Sequence, residues 1–186
     1  MSRKKPVCHQ SRVIARSKLF KIEALDLQFS NGAVRQFERI SGNGPGMGAV
    51  IIIAINDNNA FYLIREYAAG TEKYELAFPK GLIDPGETML EAANRELQEE
   101  VGFAARELKL LRSMSLAPGY FGAHMDVVLA TDLYPSVLPG DEPEPIEVIE
   151  WPIETSEQLL HEADFSESRS IAALYIVQHW LKQQSE

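Results

Sequence analysis

The stretch GLIDPGETMLEAANRELQEEVGF, residues 81 to 103, sets two glycines and a proline ahead of an amphipathic run that gathers Arg95, Glu96, Glu99 and Glu100 within six residues. Thr88 followed by Glu91 has the form of a capping box, and Gly102 suits the position just past a helix end. The pattern predicts a helix from about Met89 to Val101, with an apolar stripe of Leu90, Ala93, Leu97 and Val101. On such a helix residues three or four apart share a face, which brings Glu96, Glu99 and Glu100 to one side. Like charges at that spacing repel by roughly a few tenths of a kcal/mol per pair, so helix propensity alone does not favour the cluster. Either this face is solvated or it holds something positive.

The loop ahead of the helix bears on that choice. GLIDPGE fixes a tight approach to the helix start and brings Glu87 within reach of Arg95, locking the loop onto the helix and holding the face rigid. Three carboxylates on a rigid face, with a backbone carbonyl near Lys80 or Gly81, form a hard, oxygen-rich site suited to Mg²⁺ or Mn²⁺. The net charge of -9 over 186 residues argues against general affinity for nucleic acid, since that affinity comes mainly from lysine and arginine neutralising phosphates. A chain so acidic needs another source of positive charge if it handles phosphates, and a bound divalent metal supplies one.

Outward from this stretch the chain reads as strands with a few helices. Upstream, YELAF, FYLIREY and the β-branched run 49–55 are strand-like, the last continuous enough to be buried on both faces. Asn56 to Asn59 makes a turn that lets FYLIREY pair with that run. SGNGPGMG, residues 41 to 48, carries four glycines at alternate positions. A phosphate loop sits between a strand and a helix, and here AVIIIAI follows, so the segment reads as a flexible connection. From Leu19 to Ile40, Phe20, Ile22, Leu25, Leu27 and Phe29 stand in near alternation before the Asn31-Gly32 turn signal, which predicts an N-terminal β-hairpin or small sheet. MSRKKPVCHQSR, at the N-terminus, is basic with no apolar stretch behind it, and reads as a mobile segment rather than a secretory signal. The single cysteine, Cys8, lies there without an internal disulfide partner, and the cytoplasm is the expected compartment.

Downstream, ELKLLRSMSL and HMDVVLATDLY are two strands joined by APGYFGA, and residues 135 to 145 are rich in proline and acid. IEVIEWPI is a last strand, and helices are predicted over 156–162 and 170–182. No run approaches the roughly 18 apolar residues of a membrane span. The fold class is α/β, with one domain over 46–186 behind an N-terminal β extension over 1–45.

The spacing of the opening stretch resembles the Nudix box, G-x5-E-x7-R-E-U-x-E-E-x-G-U, where U is a bulky aliphatic residue. Gly81, Glu87, Arg95, Glu96, Leu97, Glu99, Glu100 and Gly102 stand at their places, and Phe103 at the final U is the one departure. The resemblance implies the Nudix fold, a mixed β-sheet sandwiched between helices, and hydrolysis of a nucleoside diphosphate linked to another moiety. It implies that Glu96, Glu99 and Glu100 bind divalent cations, that Lys80 lends its backbone carbonyl, and that Glu87 and Arg95 form a structural ion pair. AAGTEKYELAFPKG and APGYF resemble the ADP-ribose pyrophosphatase branch. With GDEPEP leading to WP, the chain looks most like the NudE type within it, which implies ADP-ribose, NADH and diadenosine polyphosphates as substrates and AMP as product. Glu75 stands six residues before Gly81, where the E-x-P-A-G pattern of simpler ADP-ribose enzymes needs four, so it is not carried over as a substrate ligand.

Outside the box, Arg65 is the cation expected to meet a phosphate or stack on a base, with Glu66 or Tyr67 assisting; the alternative is a surface ion pair with Glu66 or Glu72. Pro118 and Tyr120 of APGYF are further expected substrate contacts. Glu99 and Glu100 are the catalytic candidates of the box. Glu142 or Glu144 occupies the place from which ADP-ribose enzymes bring a glutamate near the metals as general base or added ligand; the alternative is a solvated, proline-rich loop. The expected cofactor is Mg²⁺, with Mn²⁺ as substitute. The expected partners are ADP-containing small molecules and a second copy of the chain, joined through its N-terminal sheet, with neither nucleic acid nor membrane. Two other functions stay open: a pyrophosphatase of nucleotide sugars such as GDP-mannose or of nucleoside triphosphates, and a noncatalytic ADP-ribose-binding regulator, against which the full set of box glutamates argues.

Overall fold

The computed structural model describes residues 4–42, 48–140 and 142–184. The glycine-rich connection therefore falls largely outside the described residues, as does residue 141 of the acidic loop. The chain divides into one unit of residues 1–47 and 115–124 and a second of 48–114 and 125–186.

In the first unit β1 (Val7–Arg16), β2 (Phe20–Gln28) and β3 (Val34–Gly42) form an antiparallel meander. The β2–β3 hairpin turns where Asn31-Gly32 predicts it, with the Gly32 N–H donating to the Phe29 carbonyl at 2.9 Å. β1 corrects the reading of the N-terminus as mobile. Every residue of this strand is exposed, so no inward alternation marks it. It forms through a backbone ladder to β2, from Val7 opposite Gln28 to Arg16 opposite Lys21. Ile40 of β3 also pairs in parallel with Phe121, in the turn segment that belongs to this unit.

In the second unit β4 (Gly48–Ala54) lies between β9 (Phe121–Pro135) and β7 (Lys80–Leu82), and β8 (Phe103–Ala117) pairs with β9. β10 (Glu147–Pro152), β5 (Ala60–Ala68) and β6 (Lys73–Ala77) make a second sheet. FYLIREY thus does not pair with the buried run before it, beyond one bridge between Ile55 and Phe61. Asn56 Oδ1 accepts the N–H groups of Asn58 and Ala60 at 3.0 Å, and the Asn56 N–H donates to the Ala60 carbonyl at 3.0 Å, which closes the turn. β5 instead pairs along residues 60–65 with β10.

α1 (Met89–Glu100) and α2 (Ser168–Gln184) both pack on β4. Val50, Ile52 and Ala54 join Ala92, Ala93 and Leu97 of α1 in one buried cluster. Strand alternation turns Ile51 and Ile53 to the opposite face. This double burial is why residues 49–55 read as an unbroken apolar run. The helix predicted over 156–162 winds as a 3₁₀ helix over Ile153–His161, and the Glu162 N–H closes on the Leu159 carbonyl at 3.1 Å. Among the described residues no helix is long and apolar enough to cross a membrane.

Candidate active site

Thr88 caps α1: its hydroxyl accepts the Glu91 N–H at 3.3 Å while the Glu91 carboxylate accepts the Thr88 N–H at 2.8 Å. At the other end Gly102 has φ +83°, a left-handed conformation that a Cβ disfavours, which stops the helix and releases the chain into β8. Fixed ends set the direction of the glutamates between them.

The Arg95 guanidinium spans that flank. Its Nε and Nη2 donate to the two oxygens of Glu87 at 2.8 and 3.0 Å, and Nη2 also donates to the Leu82 carbonyl at 2.9 Å. Nη1 donates to Glu96 at 2.7 Å and to Glu99 at 2.8 Å. Glu87 also accepts the Asp84 N–H at 3.0 Å, so the loop is tied to the helix at several points. The bond to Arg95 holds the Glu87 carboxyl below its usual range, against the opposing effect of partial burial. Repulsion among the glutamates is thus answered by a cation of the same helix.

Gly81 meets the cluster from β7. The Glu96 carboxylate occupies the space where a Cβ on residue 81 would stand, so any side chain there must displace Glu96. Burial raises the Glu96 carboxyl, with Arg95 pulling the other way. Glu100 is 6% exposed and accepts the Lys80 N–H at 2.8 Å. Burial pushes its carboxyl up to about 8, although Lys80 opposes the shift. Lys80 reaches the site through this N–H, and its Nζ pairs with Glu66 at 3.2 Å.

Among the described residues no three metal-ligating side chains stand together as a ready-made cage. Glu96 and Glu99 hold Arg95, and Glu100 holds a backbone N–H. The donor chemistry still fits a hard divalent cation: every side-chain donor is a carboxylate oxygen, and magnesium needs only one or two protein carboxylates when water and phosphate complete its shell.

The acidic loop crosses the end of α1. The Ser136 N–H donates to the Gly102 carbonyl at 3.0 Å and the Leu138 N–H to the Gln98 carbonyl at 3.2 Å, while Ser136 Oγ donates to Gln98 Oε1 at 2.8 Å. The Glu142 carboxylate folds over Gly140, and its charge adds to the upward push on Glu96. Glu144 accepts the Tyr74 hydroxyl at 2.6 Å. A cleft of about 290 Å³ lies between this loop and the β5–β6 strands, lined by Arg65, Glu66, Tyr67, Tyr74, Glu142 and Glu144. A second, of about 460 Å³, lies against Glu99 and Glu100 and is also lined by Glu142 and Glu144.

Arg65 bonds neither Glu66 nor Glu72. Its Nη1 donates to Glu147 at 2.7 Å and its Nε to Asp164 at 3.0 Å, which raises the guanidinium further, Glu147 foremost. Glu66 and Tyr67 line the smaller cleft beside it. Pro118 and Tyr120 belong to the first unit, at the turn between β8 and β9, where Tyr120 is exposed and its carbonyl accepts the Ile40 N–H at 2.6 Å. Glu75 is buried and accepts from Ser166 Oγ at 2.9 Å. The residue that sequence reasoning missed is Tyr74. Its signal was the β5–β6 hairpin, whose register sets Tyr74 opposite Tyr67.

A capped carboxylate helix joined by a tied loop to a sheet edge, inside an α/β layering, defines a Nudix hydrolase. The NUDIX domain model matches residues 45–174, and the chain belongs to that family. More narrowly, the model of the NudE-type Nudix hydrolase N-terminal domain matches residues 6–39. The chain is 51% identical to the ADP compounds hydrolase NudE of Escherichia coli, over 98% of this chain and 97% of that protein. It is 26% identical to an ADP-ribose pyrophosphatase of Bacillus subtilis, over 91% of this chain and 93% of the relative. A crystal structure of an ADP compounds hydrolase superposes with a TM-score of 0.91 at 50% identity, covering 99% of this chain and 98% of the other.

Proposed function

We propose that this Nudix hydrolase cleaves the pyrophosphate of ADP-linked compounds, among them ADP-ribose, NADH and diadenosine polyphosphates, and releases AMP. The observation that carries the reading is the rigid flank of Glu96, Glu99 and Glu100, whose Glu99 and Glu100 line a cleft that shares Glu142 and Glu144 with the smaller, tyrosine-lined one. These three glutamates would hold Mg²⁺, or Mn²⁺ in its place, with the Lys80 backbone beside them. Such a cation, when bound, neutralises the phosphates and acidifies an attacking water.

The protein's own groups do the rest. Arg95 and Glu87 keep the loop docked, and Tyr67 and Tyr74, which line the smaller cleft, would contact a base bound there. Between the two loop acids, Glu142 is the better general base, because Glu144 already accepts from Tyr74 and Glu142 bears on Glu96 through its charge. The chain's first 45 residues would serve as the dimerisation element of a cytoplasmic homodimer, and 46–186 as the hydrolase domain. Incubation with Mg²⁺ and ADP-ribose, NADH, NAD or diadenosine triphosphate, with products separated by chromatography, is expected to give AMP. Preference for GDP-mannose or 8-oxo-dGTP would overturn the substrate assignment, and ADP-ribose binding with no AMP at any Mg²⁺ or Mn²⁺ concentration would make the chain a regulator.

A further inference from the structure

The acidic loop is held at two points. Its first part is docked on α1 by the Ser136 and Leu138 N–H groups. Among the described residues, its far part is held by one side-chain bond, from the Tyr74 hydroxyl on β6 to Glu144 at 2.6 Å. Between the two anchors lies Glu142, on the wall shared by the two clefts. Tyr74 is itself placed by its tilted contact with the Tyr67 ring, with centroids 5.5 Å apart, and by its ladder position opposite Tyr67. A half-exposed tyrosine of this kind has no packing need for its hydroxyl. The hydroxyl is instead engaged by the loop carboxylate of Glu144.

We propose that Tyr74 is a positioning residue of the hydrolase: acting through Glu144, it holds the acidic loop so that Glu142 faces the carboxylate helix. The inference rests on the pyrophosphatase reading above. In that reaction a water oxygen bonds to phosphorus as the bridging P–O bond breaks, the electron pair leaves on the departing phosphate, and the proton of the water passes to Glu142. Losing the anchor leaves the Tyr67–Tyr74 ring contact and the cleft wall in place but lets Glu142 wander. The effect therefore falls on kcat more than on KM.

The test compares Tyr74→Phe, Glu144→Ala, Glu144→Gln and the Tyr74→Phe/Glu144→Ala double variant. Each is followed by AMP release from ADP-ribose and by amide hydrogen exchange of the metal-free protein. Tyr74→Phe is expected to lower kcat about tenfold, the order set by one lost hydrogen bond to a charged acceptor, and to leave KM within about threefold. Exchange over 138–146 should rise in the same variant, with melting unchanged. The double variant should be no worse than the poorer single one, and Glu144→Gln, which keeps an acceptor oxygen, should recover much of what Glu144→Ala loses. Wild-type kcat and exchange in Tyr74→Phe would overturn the positioning role alone, as would losses that multiply in the double variant. A wild-type protein that releases no AMP would overturn the pyrophosphatase reading and the positioning role with it, whatever the exchange shows.

Discussion

Glu100 offers the most direct test of how this site is built. Its carboxyl is 6% exposed, bonded to the Lys80 N–H, and carried by burial from an ordinary 4.5 to about 8. In metal-free protein between those values the folded state keeps a proton that the unfolded chain has lost. The contribution of Glu100 to stability is then full below about pH 4.5, declines as the pH rises from there, and levels off above about 8. At about 1.4 kcal/mol per pH unit the whole decline is on the order of 5 kcal/mol at its upper limit. Glu100→Gln, a permanent mimic of the protonated acid, lacks that decline. Urea unfolding in EDTA from pH 5 to 9 should find the two proteins alike at pH 5 and the variant more stable by several kcal/mol at pH 9. A cation held by Glu100 would expel the same proton, so Mg²⁺ should release most of one proton at pH 7 and far less at pH 9, read by calorimetry in buffers of different ionisation heat. A difference between wild type and variant that stays constant across the range, or binding with no proton release at pH 7, would refute the argument that burial of Glu100 sets the charge state of the site.

Two further outcomes follow from the same network. Gly81→Ala places a Cβ in the Glu96 carboxylate, so turnover should fall on the order of a hundredfold, as for a misplaced reacting group; steady-state AMP release at the wild-type rate would sink the close-approach reading. Glu87→Gln weakens the tie to Arg95 and should cost about 1.5–3 kcal/mol in urea unfolding at pH 7. Because Arg95 depresses the Glu87 carboxyl, that stability is present above the ordinary 4.5 and lost as the pH falls below it, so the variant's acid limb should be flatter than the wild type's.

How much of this was legible in the sequence depends on what each feature leaves in the pattern. The capping box, the terminal glycine and the buried run of β4 each leave a local signature, because cap chemistry and double-sided burial dictate residue type. β1 leaves none, since backbone pairing asks nothing of its exposed side chains. The partner of β5 was hidden for a related reason: alternation marks a strand but not which edge it joins, and β10 is more than eighty residues away in the chain. At the site, the glutamates and Gly81 were readable by spacing. The partners of Arg65, Glu147 and Asp164, were not, because long-range ion pairs have no fixed offset.

Arg95 shows why the ridge tolerates three glutamates before any cation arrives. A lysine offers one nitrogen, but the planar guanidinium has two working edges. Nε and Nη2 grip Glu87 and the Leu82 carbonyl, while Nη1 alone is shared between Glu96 and Glu99. A divalent cation held by Glu96 and Glu99 would therefore compete only with the Nη1 contacts, while the other edge keeps the loop docked. Glu99 and Glu96 would then be the exchangeable partners and Glu87 the fixed one. The same geometry that offsets the repulsion within the carboxylate cluster would thus set which of its members can turn to a cation.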